Sequence, residues 1–546
     1  MGAMIPLRQH ASKYVSQHAS QYASHAPLGA LLMLALTMLS AGVSASDAIA
    51  QAPPQAPQAR AAPLAGFDAY VEKGMRDWRV PGIAVGIVHG DSIILAKGYG
   101  VRTAGRPEPV DEHTLFALAS DTKAFTGILL AMLADSGRVR WDDHATAYLP
   151  DLQLFDAYAT RELTVRDLLT HRAGLARADL LWTGGYGYDT QEMLHHLRYL
   201  HPSWSMRTHY GYNNLMYGAA GEVVARASGM SWSDMLRQRI FQPLGMTCSN
   251  TSVTQLPALP DVASPHAIVD NQVRVVPYTN IDAIPAAGAI NSCVADMVKW
   301  LRFQLDSGRV NGTRLVSARN FRETHTPQLA IRIDSAYRAL NPATHLRSYA
   351  IGWSVYDYHG REMLTHPGDL SGMSSMVGLL PEERLGVVVL SNMEGQALRE
   401  SLMYWIFDRY LGAPMKDWSA ETLAEQRRND AADAKREREV EAKRVRGTKP
   451  PLALDAYAGM YADSLYGPAT VRVENGHLVL ELTPKTVGDM EHWQYDTFRV
   501  TWRDHRDGKS FVQFDLDPVT AKVTRMRQIP DPGEPVEQVP VWVRMN

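Results

Sequence analysis

The sequence has little of several features that mark special classes of protein. Only 2 of its 546 residues are cysteine, and its formal net charge is −3. So few cysteines exclude a small disulfide-rich scaffold, and the balanced charge argues against a nucleic-acid partner. Walker, dinucleotide-binding and G-x-S-x-G motifs are absent as well. We therefore expect neither a nucleotide cofactor nor an α/β-hydrolase arrangement.

One apolar run stands near the N-terminus, at residues 28–39, and it is too short to cross a bilayer. Arg8 and Lys13 precede it, and small residues follow it, with candidate cleavage sites at residues 43–45 and 48–50. This pattern is typical of a secretory signal peptide. We predict a signal peptide over residues 1–50, a flexible Pro/Ala/Gln linker over residues 51–65, and a periplasmic or secreted protein without a membrane span.

The chain after the linker mixes strand and helix patterns. Two apolar runs around His89-Gly90-Asp91 predict a β-hairpin. Helical periodicity follows at residues 122–135, 165–170, 221–242 and 294–305, and strand patterns return at residues 354–358, 376–380 and 385–391. For residues 66–415 we predict an α/β (α+β) domain, with a mixed sheet, helices packed on it and a helical subdomain.

The C-terminal part differs in composition. Residues 416–450 carry opposite charges three or four positions apart, which predicts a solvated linking helix. In residues 451–546, alternating runs flank Asn475-Gly476 and Asp507-Gly508, which are strong hairpin signals. We predict a small antiparallel β-barrel there.

The first candidate for chemistry is Ser120-Asp121-Thr122-Lys123, which opens the helix predicted at residues 122–135. This S-x-x-K spacing puts the serine and the lysine one helical turn apart on the same face. The helix start offers a backbone N–H for an oxyanion, and a desolvated lysine can take the serine proton. Alone, however, the motif is better explained as a helix cap beside a surface lysine.

Two further motifs follow in order. Tyr212-Asn213-Asn214 supplies a Y-x-N, and Thr365-His366-Pro367-Gly368 follows a predicted strand. With LTVRDLLTHRAGL at residues 163–175, they resemble the active-site signature of serine β-lactamases and penicillin-binding proteins, of the class C β-lactamase type. The resemblance covers residues 66–414 and implies the β-lactamase/transpeptidase-like fold.

The resemblance implies a role for each catalytic side chain. Ser120 would attack a carbonyl and form an acyl-enzyme. Lys123 and Tyr212 would share the general-base and general-acid work, with the lysine ammonium favouring a phenolate at Tyr212. Asn214 would bind the substrate amide.

The strand motif supplies the remaining predicted contacts to the substrate. His366 would stand where the family's K-T-G motif has lysine, followed by Gly368. The backbone N–H groups of Ser120 and Asp369 would form the oxyanion hole. Pro367 departs from the family pattern because it has neither a hydroxyl nor a backbone N–H. Penicillin-like carboxylate binding and efficient β-lactam hydrolysis are therefore less expected.

Several functions remain open within this resemblance. We predict a peptidase for small or unusual peptides, with D-residues or of linearised cyclic origin, and the peptidases that open linearised microcystin are one specific candidate. The alternative is a carboxylesterase, followed by a β-lactamase and a non-catalytic sensor of peptidoglycan fragments. The C-terminal part resembles the lipocalin-like domain of such hydrolases, which could limit substrate size, support a homo-oligomer or be purely structural.

The sequence offers no convincing metal or cofactor site. His195, His196 and His201 share a predicted helix but lack a metal-binding spacing, so we expect no metal and no cofactor. Cys248 and Cys293 could form a bridge, or they could remain two unpaired thiols.

Overall fold

The computed structural model describes residues 63–504, 506–529 and 539–545. The predicted signal peptide and almost all of the predicted linker lie outside these residues. Within the described part of the chain, no helix is both long and apolar enough to cross a membrane.

The larger, N-terminal part is built on one eight-stranded sheet, with short strand pairs around it. The sheet order is β2-β1-β14-β13-β12-β11-β10-β9, and every neighbouring pair is antiparallel. The mixed α/β fold is confirmed, but the sheet itself is antiparallel and not mixed, because hairpins join its consecutive strands. The strands are β1 (Gly82–His89), β2 (Ser92–Gly100), β3 (Phe116–Ala117), β4 (His266–Val269), β5 (Gln272–Val275), β6 (Asn291–Ser292), β7 (Arg309–Val310), β8 (Thr313–Arg314), β9 (Leu329–Ala330), β10 (Arg347–Tyr349), β11 (Ser354–Tyr358), β12 (Arg361–Leu370), β13 (Met373–Leu380) and β14 (Leu385–Ser391).

Helices cover both faces of this sheet and form a helical subdomain on one side. They are α1 (Phe67–Trp78), α2 (Thr122–Asp135), α3 (Ala157–Glu162), α4 (Val165–Leu169), α5 (Leu180–Thr183), α6 (Thr190–His196), α7 (Asn214–Ser228), α8 (Trp232–Leu236), α9 (Gln242–Leu244), α10 (Pro285–Gly288), α11 (Val294–Leu305), α12 (Ala318–His325), α13 (Ser335–Leu340), α14 (Leu398–Leu411) and α15 (Trp418–Ala442). Helices α1 and α14 pack on one face of the sheet, and α2 and α11 contribute to the core on the other face.

Local sequence explains where several of these helices begin and end. Thr164 and Asp167 form a capping box at the start of α4, as the sequence Thr-Val-Arg-Asp favours. The helix predicted over residues 221–242 is interrupted in the structure. Gly229, with φ of 76°, ends α7 in the left-handed conformation, and the Ser231 side chain then caps α8.

The C-terminal part is a closed, antiparallel barrel of eight strands, which confirms the predicted β-barrel. The predicted Asn475-Gly476 hairpin joins β16 to β17. Inward side chains such as Tyr457, Tyr461 and Trp542 fill its core. The strands are β15 (Gly459–Asp463), β16 (Gly467–Glu474), β17 (His477–Thr483), β18 (Thr486–Gln494), β19 (Thr497–Trp502), β20 (Lys509–Leu516), β21 (Val523–Ile529) and β22 (Val541–Arg544).

Several barrel turns contact the N-terminal part. Leu465, before β16, is packed into the large core of the N-terminal part. The Lys485 N–H donates to the Gly184 carbonyl at 3.3 Å. The Tyr186 hydroxyl donates to the Leu482 carbonyl at 3.2 Å. Residues 184–188 therefore lie directly against the barrel.

Candidate active site

Ser120 stands on a short turn of 3-10 helix, Ala119–Asp121, which leads directly into α2. Ala119 adopts a left-handed backbone with φ of 49°, which is uncommon for a residue other than glycine. The chain before it is fixed by the Leu118 N–H, which donates to the Ile290 carbonyl at 2.8 Å. The serine hydroxyl is thereby presented at the edge of the core, half-buried.

Lys123, one turn further on, is fully buried beside this hydroxyl. Its Nζ lies 3.0 Å from Ser120 Oγ and donates to Asn214 Oδ1 and to the Ala287 carbonyl, both at 2.8 Å. Burial, together with the Arg177 cation, lowers the pKa of Lys123 well below its usual value. A neutral amine has two hydrogens for these two acceptors and a lone pair for the serine hydroxyl. The geometry therefore suits removal of the Ser120 proton.

Tyr212, in the segment before α7, is the third side chain that contacts the serine hydroxyl. Its hydroxyl donates to Ser120 Oγ at 2.6 Å. Burial raises the pKa of Tyr212 and outweighs the Arg177 cation and the Ser120 hydrogen bond, which lower it. The raised pKa contradicts the expected phenolate, because it means that the Tyr212 phenol keeps its proton in the free protein. The structure thus brings together the three predicted catalytic side chains, whose roles stay predictions.

Asn214, the first residue of α7, links Lys123 to an ion pair that the sequence analysis missed. While its Oδ1 accepts from the lysine, its Nδ2 donates to Asp179 Oδ1 at 3.2 Å. The Arg177 Nε donates to Asp179 Oδ2 at 2.6 Å. The Arg177 guanidinium also lies 5.0 Å from the centre of the Tyr212 ring. Binding of the substrate amide by Asn214 stays a prediction, since this amide already positions the lysine.

The imidazole of His366, on β12, lies 6.4 Å from the Tyr212 ring. Burial, with the nearby Lys123, lowers the pKa of His366 to about 3. Its Nδ1–H therefore donates to the Pro367 carbonyl at 2.8 Å, and its Nε2 accepts from the Tyr349 hydroxyl at 3.0 Å. The position where the family has a lysine is consequently uncharged at neutral pH.

Gly368 brings β12 into contact with the backbone that precedes the nucleophile. A Cβ at this position would lie 2.1 Å from the Leu118 carbonyl and 2.2 Å from Ser375 Oγ. Buried Arg399 holds the end of the strand, donating to the Gly368 carbonyl at 2.8 Å and to Asp369 Oδ1 at 2.6 Å. The carboxylate of Asp369 is thus engaged by Arg399, and its predicted oxyanion role rests on the backbone N–H alone.

Two further buried side chains pack against the nucleophile turn and Tyr212. The sequence analysis did not single them out. Asp121 lies under the nucleophile turn with Oδ2 2.7 Å from Ser375 Oγ, and burial raises the pKa of Asp121 well above its usual value. His171, from the matched segment 163–175, packs its ring 4.2 Å from that of Tyr212. Its Nδ1 accepts from the Asn213 N–H at 3.2 Å. The spacing of the motifs does not indicate a role for Asp121, whereas His171 lies in the segment 163–175 that resembles the family.

A small cleft with a cavity volume of about 10 Å³, room for about one water molecule, lies next to the nucleophile turn and the end of β12. Tyr278, Asp282, Leu370 and Met373 are among the residues that line it. Thr279, also on its wall, accepts a long hydrogen bond from Arg506 of the barrel at 3.4 Å. The barrel therefore reaches one end of the cleft.

Known proteins share both parts of the chain. A family model described as Beta-lactamase matches residues 67–410, and one described as Domain of unknown function (DUF3471) matches residues 443–535. The chain is 27% identical over 438 residues to a protein of Aspergillus violaceofuscus named unguisins hydrolase, covering 76% of this chain and 77% of that protein. It is 28% identical over 325 residues to penicillin-binding protein 4 of Amycolatopsis lactamdurans, covering 57% and 81%. The octameric penicillin-binding protein homologue of Pyrococcus abyssi has the same fold, with a TM-score of 0.58 over 88% of this chain and 99% of that one at 19% identity.

Proposed function

Because the chain belongs to the β-lactamase family of serine hydrolases, we propose that it is an exported peptidase for small or unusual peptides. The observation that carries the proposal is the contact of Ser120 Oγ with the buried Lys123 amine at 3.0 Å and with the Tyr212 phenol at 2.6 Å. This set provides a nucleophile, a base and an acid within one hydrogen bond of each other.

The proposed reaction begins with an unprotonated Lys123 and a protonated Tyr212. Lys123 takes the Ser120 proton as Oγ attacks the substrate carbonyl, and the backbone N–H groups of Ser120 and Asp369 stabilise the oxyanion. The Tyr212 phenol then donates a proton to the leaving nitrogen, and the C–N bond breaks. The resulting phenolate is stabilised by the lysine ammonium and Arg177. Water attacks the acyl-enzyme with the phenolate as base, and the Lys123 ammonium returns its proton to Ser120 Oγ as the ester C–O bond breaks. The acid is released and Ser120 is restored.

The substrate class is proposed from the charges and proton donors of the site and from the relatives. An amide leaving group requires protonation, and Tyr212 is placed to supply it, whereas an ester does not depend on it as strongly. The uncharged His366 and the adjoining Pro367 give no cation for a penicillin-type carboxylate. One relative is named a hydrolase of unguisins. The barrel contacts the N-terminal part at Tyr186 and Thr279, which supports small substrates because the barrel would limit access to the site.

The test compares the purified protein with Ser120→Ala on matched substrates. The panel contains L- and D-aminoacyl p-nitroanilides, short peptides including linearised microcystin, p-nitrophenyl acetate and nitrocefin. We expect serine-dependent cleavage of anilides or peptides, with an acyl adduct on Ser120 detected by mass spectrometry. Ester turnover without amide cleavage would assign a carboxylesterase instead. No turnover and no labelling of Ser120 by a fluorophosphonate would contradict an enzymatic role.

Export to the periplasm or the medium is part of this proposal, and it rests on the sequence of residues 1–50. Expression of the full chain in a bacterial host tests it. The mature protein is expected in the periplasmic fraction or the medium, with an N-terminus after residue 45 or 50. A full-length protein confined to the cytoplasm would contradict export. A homo-oligomer like the octameric neighbour is proposed as well, and light scattering of the purified protein measures it.

A further inference from the structure

A short antiparallel contact joins the loop after α9 to the segment that supports the nucleophile. Asn250 and Asn291 exchange backbone hydrogen bonds in both directions at 3.0 Å. The hydroxyls of Ser249 and Ser292 lie 2.8 Å apart, as expected for the next pair along the two chains.

One position further, this register places Cys248 opposite Cys293. Directly opposed residues in an antiparallel pair have Cα atoms about 4.5–5.5 Å apart, within the 4.4–6.8 Å range of disulfides. In the structure the thiols are free, and their sulfurs and the nearer His113 nitrogen all lie within 4.8 Å of one another. Cys293 is buried, while Cys248 is partly exposed.

We propose that Cys248 and Cys293 form a reversible cross-strand disulfide. His113 Nδ1 lies 3.9 Å from Cys248 Sγ and can hold the proton of this thiol. A contact from the Cys293 thiol, together with His113, lowers the pKa of Cys248 to about 7, which makes Cys248 the attacking thiolate near neutral pH.

The oxidant in this proposal is a low-molecular-weight disulfide such as oxidised glutathione. The Cys248 thiolate attacks one sulfur of the oxidant, which forms a mixed disulfide and releases one thiolate. The Cys293 thiol then loses its proton and attacks Cys248 Sγ, which releases the second small thiol. The protein loses two protons and two electrons, which is two hydrogen atoms, and the oxidant becomes two thiols.

The disulfide would link the loop at residue 248 covalently to the segment that supports the active site. In that segment the Ala287 carbonyl accepts from Lys123 Nζ, and the Ile290 carbonyl accepts from the Leu118 N–H. Neither cysteine contacts the serine machinery, so we expect the disulfide to raise thermal stability while turnover at 25 °C stays unchanged. Closure of the chain between residues 248 and 293 restricts the unfolded ensemble, which is the source of the stabilisation.

The experiment treats the reduced full-length protein with oxidised glutathione at pH 7.5. Because the chain has only 2 cysteines, we expect the free-thiol count to fall from two to zero. The mass should fall by about 2 Da, since two hydrogens are lost. The apparent unfolding temperature should rise by several degrees and return with dithiothreitol.

Three variants and one control separate the steps. Cys293→Ser should accumulate a glutathione adduct at Cys248, whereas Cys248→Ser should remain unmodified because Cys293 is buried. His113→Gln should slow oxidation, and His345→Gln, at an exposed histidine elsewhere, should not. A folded wild type that keeps both thiols, or stops at a stable adduct, would overturn the proposal. Protection of both thiols by Zn²⁺ alone, reversed by a chelator, would assign a metal site instead and would also overturn it.

Discussion

The contact between Gly368 and the nucleophile turn provides a sharp test of how β12 positions the site. In Gly368→Ala the new Cβ would start 2.1 Å from the Leu118 carbonyl and 2.2 Å from Ser375 Oγ. Relief of this overlap requires the strand or the turn to move by about 1 Å. A displacement of that size can cost about 100-fold in rate, and overpacking of this kind costs about 1–3 kcal/mol of stability. We therefore expect kcat/KM to fall by about 100-fold while the protein remains folded.

The assay measures kcat/KM on the best amide substrate and the unfolding temperature by calorimetry. Gly386→Ala, on β14 of the same sheet, is the matched control, because its Cβ would meet only side chains at 3.2 Å or more. We expect the control to keep nearly normal turnover. A Gly368→Ala protein with the kcat/KM and unfolding temperature of the wild type would refute the close packing of β12 against residues 118–120.

Three further predictions concern charged or titrating groups of the site. Lys123→Met and Tyr212→Phe should each lower turnover by about 100-fold or more in steady-state assays, on the usual scale for acid–base groups; near-normal rates in both would remove them from the mechanism. Arg177→Met removes a cation that lowers the pKa of Lys123, so the acid limb of the kcat/KM profile should move to higher pH, whereas Arg177→Lys should leave it in place. An unmoved limb in Arg177→Met would contradict this electrostatic role. Asp121 has a raised pKa in the folded state, so its contribution to stability is full at low pH and declines as pH rises above the ordinary aspartate value. In urea unfolding, the free energy of unfolding of Asp121→Asn should therefore rise relative to that of the wild type between pH 4.5 and 7.5. An unchanged difference between the two proteins over this range would contradict a buried, protonated Asp121.

The sequence predicted the fold most accurately where local patterns are strong. Helices α2 and α11 and strands β11 and β14 have the predicted bounds, because their apolar periodicity is complete and their ends carry clear turn signals. The predicted helix over residues 221–242 failed at Gly229, where one left-handed residue outweighs a continuing helical pattern. Strand direction within the sheet was not predictable from the sequence. The pairing of β1 with β14 joins segments about 300 residues apart, and no local sequence pattern specifies such a pairing.

Only the part of the site that lies in sequence motifs could be predicted. The S-x-x-K and Y-x-N motifs named the three side chains that meet at the serine. The ion pair of Arg177 and Asp179 was missed because no motif marks it, and only folding brings it against Asn214. The protonation of Tyr212 was predicted wrongly, since burial depends on the whole structure and reverses the effect expected from a neighbouring ammonium.

The central claim is that Ser120 is made nucleophilic by a buried lysine whose pKa lies well below its ordinary value. The most direct measurement is the rate at which a fluorophosphonate labels Ser120 as a function of pH, read by mass spectrometry. Because burial and Arg177 lower the pKa of Lys123, the rate should reach its plateau well below the pH at which an ordinary lysine titrates. A rate that keeps rising with pH toward the ordinary lysine value of about 10.4 would contradict the account.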